Sequence, residues 1–119
     1  MNICVIGTGY VGLVTGTVFA DLGNDVICAD ISEEKVKRLS SGDPVIYEPG
    51  LEEMLLRNIA DKRLRFTTDI EDSVRKSTVV FICVGTPPKD NGETDLSQVE
   101  TAARAIARGL DAYKVIVNK

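Results

Sequence analysis

Residues 3–14, Ile3-Cys4-Val5-Ile6-Gly7-Thr8-Gly9-Tyr10-Val11-Gly12-Leu13-Val14, decide the fold. A short apolar run closed by a glycine reads as a buried strand. Val11, Leu13, Val14, Val18 and Leu22 then mark a helix that Gly23-Asn24 stops. Asp25 to Asp30 reads as a second strand. The quoted stretch is therefore the first half of a βαβ unit, with Gly-x-Gly-x-x-Gly lying between strand and helix. In that setting the pattern has a physical meaning that it lacks alone.

Working outward, Ser32 starts a helix with Val36 and Leu39 on one face and a stop at Ser41-Gly42. Asp43-Pro44 and Glu48-Pro49-Gly50 are turn chemistry. Leu51, Met54, Leu55 and Ile59 follow helical spacing, and Leu64 and Phe66 alternate with polar residues in a short third strand. A brief helix near Ile70 to Val74 leads into Thr78 to Val84, the longest apolar strand. Thr86 to Leu96 is a polar loop. Ser97 and Glu100 have capping-box spacing. Val99, Ala102, Ala103, Ile106 and Ala107 share one helical face. Val115-Ile116-Val117 begins a fifth strand. Apolar strands separated by helices predict a parallel sheet covered on both faces. Right-handed crossovers make it a doubly wound, Rossmann-type α/β sheet with strand order 3-2-1-4-5. Nothing follows strand five to cover it, so residues 1–119 read as one incomplete domain cut from a longer protein.

Composition narrows the function. The 119 residues are 44% hydrophobic and 27% charged, as in ordinary globular domains. The net charge is −4 with no basic block, which disfavours nucleic acid and anionic membranes as partners. Without histidine, neither a Ser-His-Asp nor a Cys-His nucleophile nor a His-ligated metal site can be built within the chain. Aromatics are 5% with no Trp, a poor stock for base stacking. Cys4, Cys28 and Cys83 each sit inside an apolar run, with no C-x-x-C spacing. They read as small buried hydrophobes in a reducing, cytoplasmic chain. No apolar run reaches membrane-spanning length, and the amino terminus lacks a signal-peptide pattern.

The glycine turn points to a dinucleotide. Gly7 allows the tight turn, Gly9 lets a pyrophosphate approach the backbone, and Gly12 lets helix and strand pack closely. The phosphates would meet free N–H groups at the helix start, where Tyr10 and Val11 lie. A purely structural turn, or FAD, stays open at this point. Asp30 stands 18 residues after Gly12, at the end of the second strand. A carboxylate there can accept from both hydroxyls of an adenosine ribose and would repel a 2′-phosphate, favouring NAD over NADP. It could instead cap the next helix, although Ser32 is better placed. Lys35, on the first turn of that helix, could reach the ribose, bias the loop electrostatically, or be simply solvated. Val84-Gly85-Thr86 ends the fourth strand beside the strand-order reversal, where ligands bind in this fold. Thr86 could donate to a phosphate or ribose oxygen, and Pro87-Pro88 would stiffen the turn. The acids Glu48, Glu52 and Glu53 have no metal-ligand partners, and Glu52 and Glu53 suit the first helical turn after Pro49-Gly50. No residue is assigned a catalytic or metal-binding role.

Taken together, these residues resemble the UDP-glucose/GDP-mannose dehydrogenase family. The likeness runs through Asn2 to Gly16, Asp30 with Lys35, Ile46 to Glu53, Leu64 to Asp69, Val84 to Pro87 and Asp95-Leu96-Ser97. Tyr47-Glu48-Pro49-Gly50-Leu51 and the Gly-Thr-Pro…Asp-Leu-Ser pair are its most specific parts. The resemblance implies an NAD-dependent enzyme oxidising the C6 alcohol of a sugar nucleotide to a carboxylate in two hydride transfers. It places NAD contacts on Val11, Asp30, Lys35 and Thr86. It also implies that the family's Ser-Thr-Val-Pro motif, its catalytic Cys with Lys, Asn and Asp companions, and the sugar-nucleotide domain lie beyond Lys119. The isolated chain is then expected to be inactive, and the parent enzyme to be a homo-oligomer. For Tyr47 to Leu51 a packing or subunit-contact role is expected, against a plain Pro-Gly turn. A competing reading is a non-catalytic nucleotide-sensing module. Such a module has no need of the turn and second helix between Gly42 and Ile59.

Overall fold

The computed structural model describes residues 1–119. Ten elements follow in order: β1 (Asn2–Ile6), α1 (Tyr10–Asp21), β2 (Asp25–Ala29), α2 (Glu33–Ser40) and α3 (Leu51–Ala60). Then come β3 (Leu64–Thr67), α4 (Ile70–Arg75), β4 (Val79–Ile82), α5 (Ser97–Gly109) and β5 (Val115–Asn118). All neighbouring strands pair in parallel, in the order β3-β2-β1-β4-β5. This is the doubly wound sheet that the alternation of strands and helices predicts.

The two-residue period of β1 builds two cores at once, because successive side chains of a strand point to opposite faces. Ile3 and Val5 enter one cluster with Leu13 of α1, Leu39 of α2 and Leu55 of α3. Cys4 and Ile6 enter the other with Val74 of α4 and Ala102 and Ile106 of α5. β1 is thus the central strand and the shared wall of both cores. Buried Asn58 ties α3 to α1 by donating to Asp21 Oδ1 at 2.9 Å and to the Met54 carbonyl at 2.8 Å. The three cysteines are free and buried, as small hydrophobes. Burial pushes the Cys4 thiol up to about 12 and raises those of Cys28 and Cys83 as well. None is a ready thiolate. No helix is long and apolar enough to cross a membrane.

Three local expectations change. The Ser97–Glu100 capping box does not form. Ser97 is already the first residue of α5, and Leu96 holds the cap position without a side-chain bond. The Asp95 carboxylate takes the Ser97 amide instead, at 2.9 Å, and so moves the helix start by one residue. β4 is shorter than Thr78 to Val84. The amides of Thr78 and Cys83 still donate to the Asn2 and Ile6 carbonyls of β1, at 2.9 and 2.8 Å, although the ladder itself spans Val79–Ile82. The stretch from Thr86 to Leu96 is more than a loop. Pro88 and Thr94 form an antiparallel bridge closed by Gly92 at φ +86°.

Candidate functional site

A cleft of about 620 Å³ opens at the carboxyl ends of β1, β2 and β4. The glycine turn forms its floor. Gly7 has φ +100°, a conformation open to glycine at no steric cost, and its amide donates to the Ala29 carbonyl at 2.8 Å. A Cβ there would stand 2.6 Å from the Cys83 carbonyl oxygen. A Cβ on Gly12 would run into the Gly7 carbonyl oxygen, so α1 presses directly on the turn. Gly9 is different. A Cβ there would meet nothing within 4 Å, because the space above it is the cleft.

The start of α1 faces this space bare. It has no side-chain cap and no acidic residue in its first turn. Every other helix has one or both: Ser32 with Glu33 and Glu34 on α2, Glu52 and Glu53 on α3, Asp69 with Glu71 and Asp72 on α4, and Glu100 on α5. Free N–H groups at a helix start attract an anion. An open glycine beside them leaves room for one. The residues present therefore fit a diphosphate.

Asp30 lies across the cleft, just past β2, with its side chain 13% exposed. Its Oδ2 accepts from the Thr8 amide at 2.9 Å and the Thr8 hydroxyl at 2.6 Å, and its Oδ1 accepts from the Ser32 amide at 3.0 Å. Lys35 Nζ stands 3.9 Å from Oδ2. Burial alone would raise this carboxyl. The hydrogen bonds from Thr8 and Ser32, with the Lys35 charge, outweigh it and hold the group below the usual carboxylate range. Asp30 is thus an anion at neutral pH. Three of its roughly four acceptor positions are in use, which leaves room for a hydroxyl. Ser32, not Asp30, caps α2, its Oγ accepting the Lys35 amide at 3.2 Å.

Gly7, Gly9, Tyr10, Val11, Asp30, Lys35, Val84 and Gly85 all line the cleft. Gly12 lies beneath it as a packing residue. Thr86 is exposed and stands outside the lining, one residue beyond Gly85. Two features escaped the sequence. Thr8, 3% exposed, joins the glycine turn to Asp30. A hydroxyl residue between the two glycines is the signal for it. Ser97, Gln98 and Thr101 of α5 also face the cleft. Their 97/98/101 spacing marks one side of a first helical turn, but only docking shows which way that side points.

The chain matches, over residues 1–119, the model of the UDP-glucose/GDP-mannose dehydrogenase family, NAD binding domain. It is 53% identical over 118 residues to UDP-glucose 6-dehydrogenase TuaD of Bacillus subtilis (strain 168), covering 99% of this chain and 26% of that protein. It is 49% identical over 120 residues to a UDP-glucose 6-dehydrogenase of Rhizobium meliloti (strain 1021), covering 28% of it. Among solved structures, a ternary complex of GDP-mannose dehydrogenase from Pseudomonas aeruginosa superposes with TM-score 0.96 at 39% identity, over 99% of this chain and 28% of that one. A UDP-glucose dehydrogenase from Pyrobaculum islandicum superposes with TM-score 0.93 at 45% identity, over 98% of this chain and 28% of that one. The chain spans about a quarter of the length of these relatives.

Proposed function

Since this chain belongs to the UDP-glucose/GDP-mannose dehydrogenase family, as its NAD-binding domain, we propose that it is the cofactor portion of a UDP-glucose 6-dehydrogenase. That enzyme would convert UDP-glucose to UDP-glucuronate while reducing two NAD. The choice of UDP-glucose is supported by the names of the relatives that are 53% and 49% identical. The observation that carries the cofactor site is the bare start of α1 beside open Gly9, facing an ionised Asp30.

In this reading the free amides of the first turn of α1, at Tyr10 and Val11, hold the diphosphate through the helix dipole. Gly7 and Gly12 keep the turn tight. Asp30 accepts from the adenosine ribose, and its charge rejects a 2′-phosphate. Lys35 offsets part of that charge. Val84 and Gly85 form the opposite wall, and Thr86 offers its hydroxyl from the rim. Bound NAD supplies the hydride acceptor. No residue of residues 1–119 is assigned a part in the hydride transfer. On this reading the sugar-nucleotide site and the catalytic groups lie outside residues 1–119, which span about a quarter of the relatives' length. The chain alone is therefore expected to oxidise no UDP-glucose.

The test is calorimetric titration with NADH and then NADPH. NADH should bind at least about tenfold more tightly, a difference of ~1.4 kcal/mol. Asp30→Ala should erase most of the discrimination. Equal affinities in the wild type would remove Asp30 from the ribose role.

A further inference from the structure

The segment between α2 and α3 has no task in the reading above, although it contains Tyr47-Glu48-Pro49-Gly50. It starts and ends at glycines in the left-handed region, Gly42 at φ +93° and Gly50 at φ +82°. Between them Val45 has φ +69°. A β-branched residue holds that conformation only where its surroundings impose it. At one end the imposing contacts are local. Asp43 Oδ1 accepts the Val45 amide at 2.9 Å, and Arg38 Nε donates to Asp43 Oδ2 at 2.9 Å. At the other end the contact is distant in sequence. Tyr10 Oη donates to Glu48 Oε2 at 3.0 Å, across 38 positions.

Tyr10 is the first residue of α1 and lines the cleft. Its side chain is largely exposed, so this hydrogen bond is what anchors its far end. An unanchored ring at that position would sweep the space in front of the bare helix start. We propose that Glu48 is a positioning residue for cofactor binding: it holds the Tyr10 ring to the side of the cleft mouth and latches the strap 43–50 to the glycine turn. The inference rests on the cofactor reading of the cleft. It gives the strap a part in cofactor affinity in place of packing alone.

The experiment is NADH titration of the wild type, Glu48→Ala, Glu48→Gln, Tyr10→Phe and the double variant Tyr10→Phe/Glu48→Ala, each with a urea unfolding curve. Glu48→Ala and Tyr10→Phe should each weaken NADH binding about fivefold, the worth of one hydrogen bond. The double variant should be no weaker than either single one, because both remove the same contact. Glu48→Gln should stay within about twofold of wild type, since its amide oxygen still accepts from Tyr10. Single-variant affinities unchanged, effects that multiply in the double variant, or a Gln variant as weak as the Ala variant would each overturn the latch. If the wild type itself fails to bind NADH, the cofactor reading falls first and the latch with it.

Discussion

The starts of α1 and α2 stand on either side of Asp30 and are built in opposite ways. α2 begins with a Ser32 cap and two glutamates, so its dipole is already answered within the chain. α1 begins with Gly9, no cap and no acid. The difference teaches where this molecule leaves backbone donors free. A helix start that its own side chains satisfy contributes stability, whereas one left bare keeps N–H groups that can meet an anion. Asp30 touches both. Through Ser32 it supports the filled start, and through Thr8 it braces the turn that precedes the empty one.

The glycines give the largest test of this contrast. Gly12→Ala should destabilise the fold by about 3 kcal/mol or more, because its Cβ collides with the rigid Gly7 carbonyl. Gly9→Ala should cost under about 1 kcal/mol, since its backbone is extended and its Cβ meets nothing. Yet Gly9→Ala should weaken NADH binding strongly. Urea midpoints and NADH titrations of the two variants would separate scaffold from site. Equal losses of stability would break the distinction.

Thr8 comes next. Thr8→Val removes one donor to a carboxylate and should cost about 1–2 kcal/mol, with Thr8→Ser recovering most of it. The same contact has a pH signature. The folded-state pKa of Asp30 is depressed, so its contribution is present above the ordinary carboxylate range and is lost as pH falls through the folded value. Urea stability of wild type should therefore drop more steeply than that of Asp30→Asn on acidification below about pH 4. Parallel curves would show that Asp30 is not linked to folding in this way.

The smallest expected effect lies on the filled side. Ser32→Ala should cost ~1 kcal/mol of stability and leave NADH affinity unchanged. A change in affinity would mean that the two helix starts are coupled through Asp30 rather than separate in function.

Part of this is legible in the sequence because it is short in range. The glycine turn, the strand-helix alternation and the Ser32 cap depend on residues a few positions apart. Backbone sterics and side-chain period write such features directly into the chain. The missed capping box shows the limit even at short range. Asp95 and Ser97 compete for the same helix start, and spacing does not say which prevails.

By itself, then, the sequence determined the doubly wound sheet, the family likeness and the placing of Gly7, Gly9 and Asp30 around one cleft, with Gly12 packed beneath it. Tertiary structure alone decided that Asp30 is bound to Thr8 across 22 positions and that Tyr10 meets Glu48 across 38. It also decided that Gln98 and Thr101 face the cleft while Thr86 stands outside its lining. The physical reason is that a periodic pattern states which face of an element is apolar. Which polar side chains then meet depends on how the packed elements are docked, and only the assembled core sets that.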